Sequence, residues 1–140
     1  MSTLTIALGD TKQKCSGKIT DRIKTFDDAC RELGLDPSGK VTIDASSELE
    51  GDLKSIAAYA RLTIIARALN EGWKPDWTND NERKWWPYFE YKSGFGFSGT
   101  ICDGWRTNTS VGSRLCYKSE ALAEYAAKQF ADIYNDFLTL

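Results

Sequence analysis

Apolar residues recur at intervals of three and four in three segments of the chain, which is the spacing of a helix with one buried face. In the first segment Phe26, Cys30 (or Ala29) and Leu33 share such a face. Thr25 is a good N-cap residue, and Gly34 can take the left-handed conformation that commonly ends a helix. The sequence therefore predicts a short amphipathic helix between these two residues.

The second segment predicts the longest helix. Ser46 or Ser47 would cap it, acidic residues fill its first turns, and Gly72 would end it. The predicted buried stripe is Leu49, Leu53, Ile56, Ala60 and Ile64, widened by Leu62, Ile65 and Leu69. A helix with this much apolar surface is expected at the centre of the core.

The third segment predicts one continuous helix near the end of the chain. Ser119 is its expected N-cap, and acidic residues follow in the first turn. The buried stripe would be Ala123, Ala126, Phe130, Ile133 and Phe137.

Between the second and third helices the pattern changes to aromatic, glycine-containing segments that favour antiparallel strands. These are "PYFEYKSGFGFSGTICDGW" and "VGSRLCYKS", and a further short strand is predicted within "KVTIDASS" at 40–47. The order helix, helix, strands, helix predicts an α+β fold, with a small antiparallel sheet packed by about three helices. We expect a single domain over residues 19–140, preceded by an N-terminal arm over residues 1–18.

Composition and charge argue against several classes of function. The chain has 140 residues, a net charge of −2 and a sequence pI near 5.2, which argues against binding of duplex DNA by overall charge. It has no histidine, which removes the usual general base and the commonest metal ligand. No segment has the pattern of a secretory signal or is long enough to span a membrane, so we expect no membrane partner. The cysteines are interpreted as reduced in a cytosol, with pairing of Cys102 and Cys116 across a hairpin as an open alternative.

No motif points to catalysis, and we expect no enzyme activity, no cofactor and no metal. "DASSELEGD" lacks the spacing of a calcium loop, and "DWTNDNE" offers carboxylates for a divalent ion, although turn chemistry explains them better. Cys116, between Arg114 and Lys118 on an alternating strand, is the best reactive-thiol candidate, but a packed structural cysteine is favoured. A carboxylate metal-dependent hydrolase remains a remote alternative.

The segment "SGFGFSG" at 93–99 is similar to the strand on which RNA-recognition modules display aromatic rings. Those modules place a further strand after their second helix, and here the chain ends with the last predicted helix. We therefore favour an ordinary aromatic strand, in which Phe95 and Phe97 share one face and are covered by helix residues.

Aromatic and basic residues are interleaved between the second and third helices, where all five tryptophans lie. Such rings and cations serve core filling, protein interfaces or stacking of single-stranded bases. We predict a non-enzymatic interaction module that binds a protein partner, or further copies of itself, with single-stranded nucleic-acid binding as the alternative. The predicted binding residues are Trp73, Trp77, Arg83, Trp85, Trp86, Trp105 and Arg106.

Several segments resemble a family of small proteins encoded by phages and prophages of Bacteroidetes. They are "DRIKTFDDACRELG", "IIARALNEGWKPDWTNDNERKWWPYFEYKSGFGFS" and "VGSRLCYKSEALAEYAAKQFADIYNDF", and together they cover most of residues 19–140. The resemblance implies action in the cytoplasm of a bacterial host or as a virion component. It supplies no catalytic residue.

Overall fold

The computed structural model describes residues 3–4, 16–38, 41–42, 51–91, 94, 96–103, 109 and 111–139. Its helices are α1 (Ile19–Arg22), α2 (Phe26–Glu32), α3 (Leu53–Leu69), α4 (Glu120–Gln129) and α5 (Ala131–Leu138). Its strands are β1 (Thr3–Leu4), β2 (Val41–Thr42), β3 (Lys84–Glu90) and β4 (Gly96–Asp103). The fold thus combines helices with strands that pair two by two, β1 with β2 and β3 with β4, both antiparallel.

The first predicted helix is confirmed as α2. The Thr25 hydroxyl accepts a hydrogen bond from the backbone N–H of Asp28, and the Asp28 carboxylate accepts one from the backbone N–H of Thr25. This reciprocal capping box satisfies donors that a helix start otherwise leaves without partners. Gly34 follows the helix with φ +69°, as predicted. The single-turn helix α1 was not predicted.

The second predicted helix is confirmed as α3, with part of its predicted buried face. Ile56 is exposed, Leu53 and Ala60 are partly buried, and Ala58 is buried without having been predicted. The predicted positions that are buried are Leu62, Ile64, Ile65 and Leu69. The α-helix begins at Leu53, later than predicted, and Asp52 is its N-cap residue. The predicted caps Ser46 and Ser47, and Leu49 of the predicted stripe, lie outside the described residues. Apolar residues lie on several sides of α3, so contacts with α2 and α5, not periodicity, select the buried side.

The third predicted helix begins at the predicted N-cap, but the structure divides it into two helices. The Ser119 hydroxyl accepts from the backbone N–H of Leu122 at the start of α4. At Phe130 the backbone leaves the helical region (φ −116°, ψ 30°), and α5 begins at the next residue. The Phe130 side chain is buried in the core. The helix is therefore interrupted at a residue that is neither proline nor glycine, at the point where its side chain packs into the core.

The segment "VGSRLCYKS" is not a strand, contrary to prediction. Only Tyr117 pairs with β3, through two backbone hydrogen bonds with Trp85 (3.0 and 2.7 Å) on the edge that faces away from β4. Pro87 lies two residues further along the same edge. Because that edge makes no hydrogen bonds to β4, the missing N–H of Pro87 removes no hydrogen bond between β3 and β4.

The core lies between the helices and the inner face of β3. It contains buried residues from α1 to α5, and Trp85 and Phe89 of β3 pack against it. Tyr117 and Tyr134 are fully enclosed, and their hydroxyls form a 2.9 Å hydrogen bond. Burial raises the pKa of both phenols.

Two further predictions concern the N-terminal part of the chain and its relation to membranes. Thr3–Leu4, inside the predicted arm, pairs with Val41–Thr42, inside the predicted strand at 40–47. The domain boundary between residues 18 and 19 stays a prediction. Within the part of the chain that the structure describes, no helix is both long and apolar enough to cross a bilayer.

Candidate functional site

The connection between α3 and β3 folds around a buried ammonium group. Lys84 has an exposed fraction of 0%, and its Nζ donates to the backbone oxygens of Asp76 (2.5 Å) and Glu82 (3.0 Å). Its Nζ also lies 3.3 Å from Oε1 of Glu82 and 5.3 Å from the centre of the Trp77 ring. We call these three oxygens and this ring the lysine cage.

The Glu82 carboxylate accepts hydrogen bonds from the connection through both of its oxygens. Its Oε2 accepts a hydrogen bond from the indole N–H of Trp73 (3.2 Å), and its Oε1 accepts one from the backbone N–H of Asp76 (2.7 Å). One carboxylate therefore fixes the two ends of the connection and also neutralises Lys84. Hydrogen bonds to an ionised acceptor are about twice as strong as neutral ones.

Trp77 ties this connection to the segment before α4. Its indole N–H donates to the hydroxyl of Ser113 at 2.7 Å. At Trp77 the chain turns over residues 76–78, where Oδ1 of Asp76 accepts from the backbone N–H and the hydroxyl of Thr78. These two bonds from Thr78 lower the pKa of Asp76.

Hydrogen bonds within turns thus explain the polar side chains of "DWTNDNE". The oxygens that converge in this loop converge on Lys84. Elsewhere too, the described part of the chain brings together no group of three cysteine, aspartate or glutamate side chains that would suit a metal ion.

The predicted binding residues do not form one exposed surface within the described residues. Trp73, Trp77 and Trp85 are partly buried, and Trp86 is 7% exposed. Trp73 and Trp77 meet around the lysine cage, whereas Trp85 and Trp86 point to opposite faces of β3 because strand side chains alternate. Arg83 is exposed. Trp105 and Arg106 lie outside the described residues, as do the side chains of Phe95 and Phe97.

Cys116 does not share an accessible face with Arg114 and Lys118. Its side chain is buried and its thiol lies 3.7 Å from the backbone oxygen of Ser113, while the two basic residues are exposed. This confirms the interpretation of Cys116 as a packed structural cysteine. The side chain of Cys102 lies outside the described residues.

A polar clamp at the end of α3 was missed by sequence reasoning. Buried Asn70 donates to the backbone oxygen of Cys116 (2.9 Å) and accepts from the backbone N–H of Lys118 (3.0 Å). Glu71, at φ +50°, places its carboxylate 3.3 Å from Nζ of Lys118 and 3.7 Å from the guanidinium of Arg22. The "NEG" sequence at 70–72 marks a helix end but does not indicate which segment it holds.

Large apolar side chains are exposed at another place, where α3, α5 and the end of β3 meet. The rings of Tyr59 and Phe137 lie 5.7 Å apart, and the Tyr91 hydroxyl donates to the backbone oxygen of Leu138 (3.1 Å). Ile56 lies one turn before Tyr59 on α3. We call these five residues the apolar row; apart from partly buried Phe137, their exposed fractions run from 38% to 53%.

Charged groups border the apolar row. Lys54 forms a 2.9 Å ion pair with Asp136, which precedes Phe137. Asp52, one turn before Ile56, and Glu90, next to Tyr91, are both exposed. Among the described residues the border of the row is thus more acidic than basic.

Comparison of the chain with models of protein families, with curated proteins and with solved structures finds no match. The similarity to phage-encoded proteins therefore stays a prediction.

Proposed function

We propose that the protein is a non-enzymatic interaction module that binds a protein partner through the apolar row. The observation that supports this most strongly is the exposure of Ile56, Tyr59, Tyr91 and Leu138 on adjoining elements. Contiguous apolar surface that is left in water marks contact sites, and tyrosine supplies a large contact area at a small cost in side-chain entropy.

This working surface differs from the predicted one. Trp73 and Trp77 donate their indole N–H groups to Glu82 and Ser113 within the chain, and both rings are partly buried. The rings of Tyr59 and Tyr91, by contrast, are exposed. The tryptophans are better explained as part of the scaffold, while the tyrosines of the apolar row are the candidate contact residues.

Charge suggests the chemistry of the partner. Lys54 and Asp136 neutralise each other in an ion pair beside the row, whereas the exposed Asp52 and Glu90 adjoin Ile56 and Tyr91 along the chain. We infer that the partner is a protein that presents apolar side chains surrounded by lysine or arginine. Charge complementarity of this kind raises association rates and excludes wrong partners more than it adds affinity.

Single-stranded nucleic acid is the weaker candidate. Base stacking requires aromatic faces beside accessible cations. In the connection between α3 and β3, the Lys84 ammonium is enclosed and faces the Trp77 ring from inside the protein. Titration with a labelled single-stranded oligonucleotide at low salt decides this alternative, since such binding weakens steeply as salt is added.

We also propose the finer form of the fold and the setting of the protein. The fold would be α+β with a small antiparallel sheet packed by helices, since β3 already pairs with both β4 and Tyr117. A phage or prophage origin, with action in the host cytoplasm or the virion, has the sequence resemblance as its support.

Site-specific crosslinking tests the proposed function. A photoreactive p-benzoylphenylalanine in place of Tyr59 should crosslink one discrete protein in bacterial cells, and the purified pair should bind in calorimetry. Ile56→Ser should weaken that binding roughly 30-fold, because it removes an apolar anchor. Ala57→Ser, at an exposed neighbouring position on α3, is the matched control. Equal affinity of wild type, Ile56→Ser and Tyr59→Ala would exclude the row as the contact surface.

A further inference from the structure

The ammonium of Lys84 has the surroundings of a bound cation. It carries three N–H donors, and three oxygens lie around it: the backbone oxygens of Asp76 and Glu82, and Oε1 of Glu82. The face of the Trp77 ring covers it at 5.3 Å. The side chain has no contact with solvent, so the group is fully enclosed and fully paired.

The loop depends on the positive charge at its centre. Carbonyl oxygens and a carboxylate that point at one another repel unless a cation lies between them, which is why oxygen-rich loops in calcium sites order around their ion. Here the oxygens of residues 76 and 82 are brought together by the ammonium group that residue 84 supplies. Without the ammonium, these acceptors would face one another beside the partly buried and uncompensated carboxylate of Glu82, which is a costly arrangement.

We propose that residues 73–84 form a cation-organised loop whose ion is the tethered ammonium of Lys84, and that the lysine cage binds a free primary ammonium ion when that side chain is shortened. The ligand class is a small alkylammonium ion, since it repeats both the charge and the directional N–H donors of lysine. The loop in turn positions Trp73 and Trp77, whose indole N–H groups donate to Glu82 and to Ser113.

Chemical rescue tests this proposal. Lys84→Ala removes Cγ, Cδ, Cε and Nζ, the same heavy atoms as in n-propylammonium. We expect the variant to lose on the order of a thousandfold in its folding equilibrium constant, measured by urea unfolding with tryptophan fluorescence. Millimolar n-propylammonium chloride should restore a large part of that loss in a saturable manner. Neither 1-propanol, which fills the same space without charge, nor sodium chloride at equal ionic strength should do so.

A second variant keeps the proposal testable if Lys84→Ala does not fold. Lys84→Met keeps the unbranched side chain up to the position of Cε and removes the charged nitrogen, so the fold should remain while the loop loosens. The readouts are the indole N–H resonance of Trp73 and the hydrogen exchange of the Asp76 amide, which should exchange faster. Lys118→Ala, at an exposed ion pair, is the control and should change neither readout. A wild-type loop in Lys84→Met, or equal rescue of Lys84→Ala by 1-propanol, would overturn the proposal.

Discussion

Buried polar side chains connect parts of this chain that are far apart in sequence. Asn70 uses both its amide donor and its amide oxygen to hold the backbone of Cys116 and Lys118. Buried Lys84 and partly buried Glu82 make such bonds over a shorter span, within the connection that follows α3. In a low-dielectric interior such groups contribute to stability only while every partner is in place.

Asn70→Ala should therefore be strongly destabilising. The change leaves the backbone oxygen of Cys116 and the backbone N–H of Lys118 without this partner, and we expect a loss of about 2–3 kcal/mol in the free energy of unfolding. Urea unfolding monitored by circular dichroism measures it. Asn81→Ala, at an exposed loop position, should change stability by less than about 0.5 kcal/mol. A similarly small loss in Asn70→Ala would show that the clamp is dispensable.

These residues could not be found from the sequence because nothing local distinguishes them. Lysine is ordinarily solvated, and Lys84 lies among other charged residues in "NERKWW". Its burial depends on the turn at Asp76 and on the Trp77 ring, which come together only in the folded loop. The carboxylates of "DWTNDNE" were correctly assigned to turn chemistry because Asp76 bonds to Thr78, two residues away.

At the level of elements, the caps of α2 and α4 and most buried positions of α3 were predictable, whereas the exposure of Ile56 and the break at Phe130 were not. The capping residues Thr25 and Ser119 act on residues three positions ahead, so the sequence alone specifies them. The buried face of α3 depends on how α2 and α5 pack on either side, and Ile56 was assigned to the wrong side for that reason. The break at Phe130 likewise has no signal in the residue itself.

The capping box of α2 gives a prediction at this scale. Thr25→Ala removes the hydroxyl that accepts from the Asp28 amide, and we expect a loss of about 1 kcal/mol in the free energy of unfolding. Thr25→Ser keeps the oxygen and should remain within about 0.5 kcal/mol of wild type. Thermal and urea unfolding of both variants provide the comparison. Equal loss in the two variants would assign the effect to the lost methyl group instead of the cap.

On the scale of the whole molecule, the apolar row exists only because distant elements meet. Tyr59 belongs to α3, Tyr91 directly follows β3 and Leu138 ends α5, and no local pattern joins them. Sequence reasoning followed the local density of tryptophan instead. Aromatic density shows that rings must be accommodated but does not show which of them face water, because that is decided by packing.

Hydroxyl-radical footprinting with mass spectrometry tests the central claim, that tyrosines of the apolar row and not tryptophans face outward. Labelling of each residue in the native protein is divided by its labelling in the urea-unfolded chain. We expect high ratios at Tyr59 and Tyr91 and a ratio several-fold lower at Trp86. A high ratio at Trp86 together with protection of Tyr59 and Tyr91 would contradict the account.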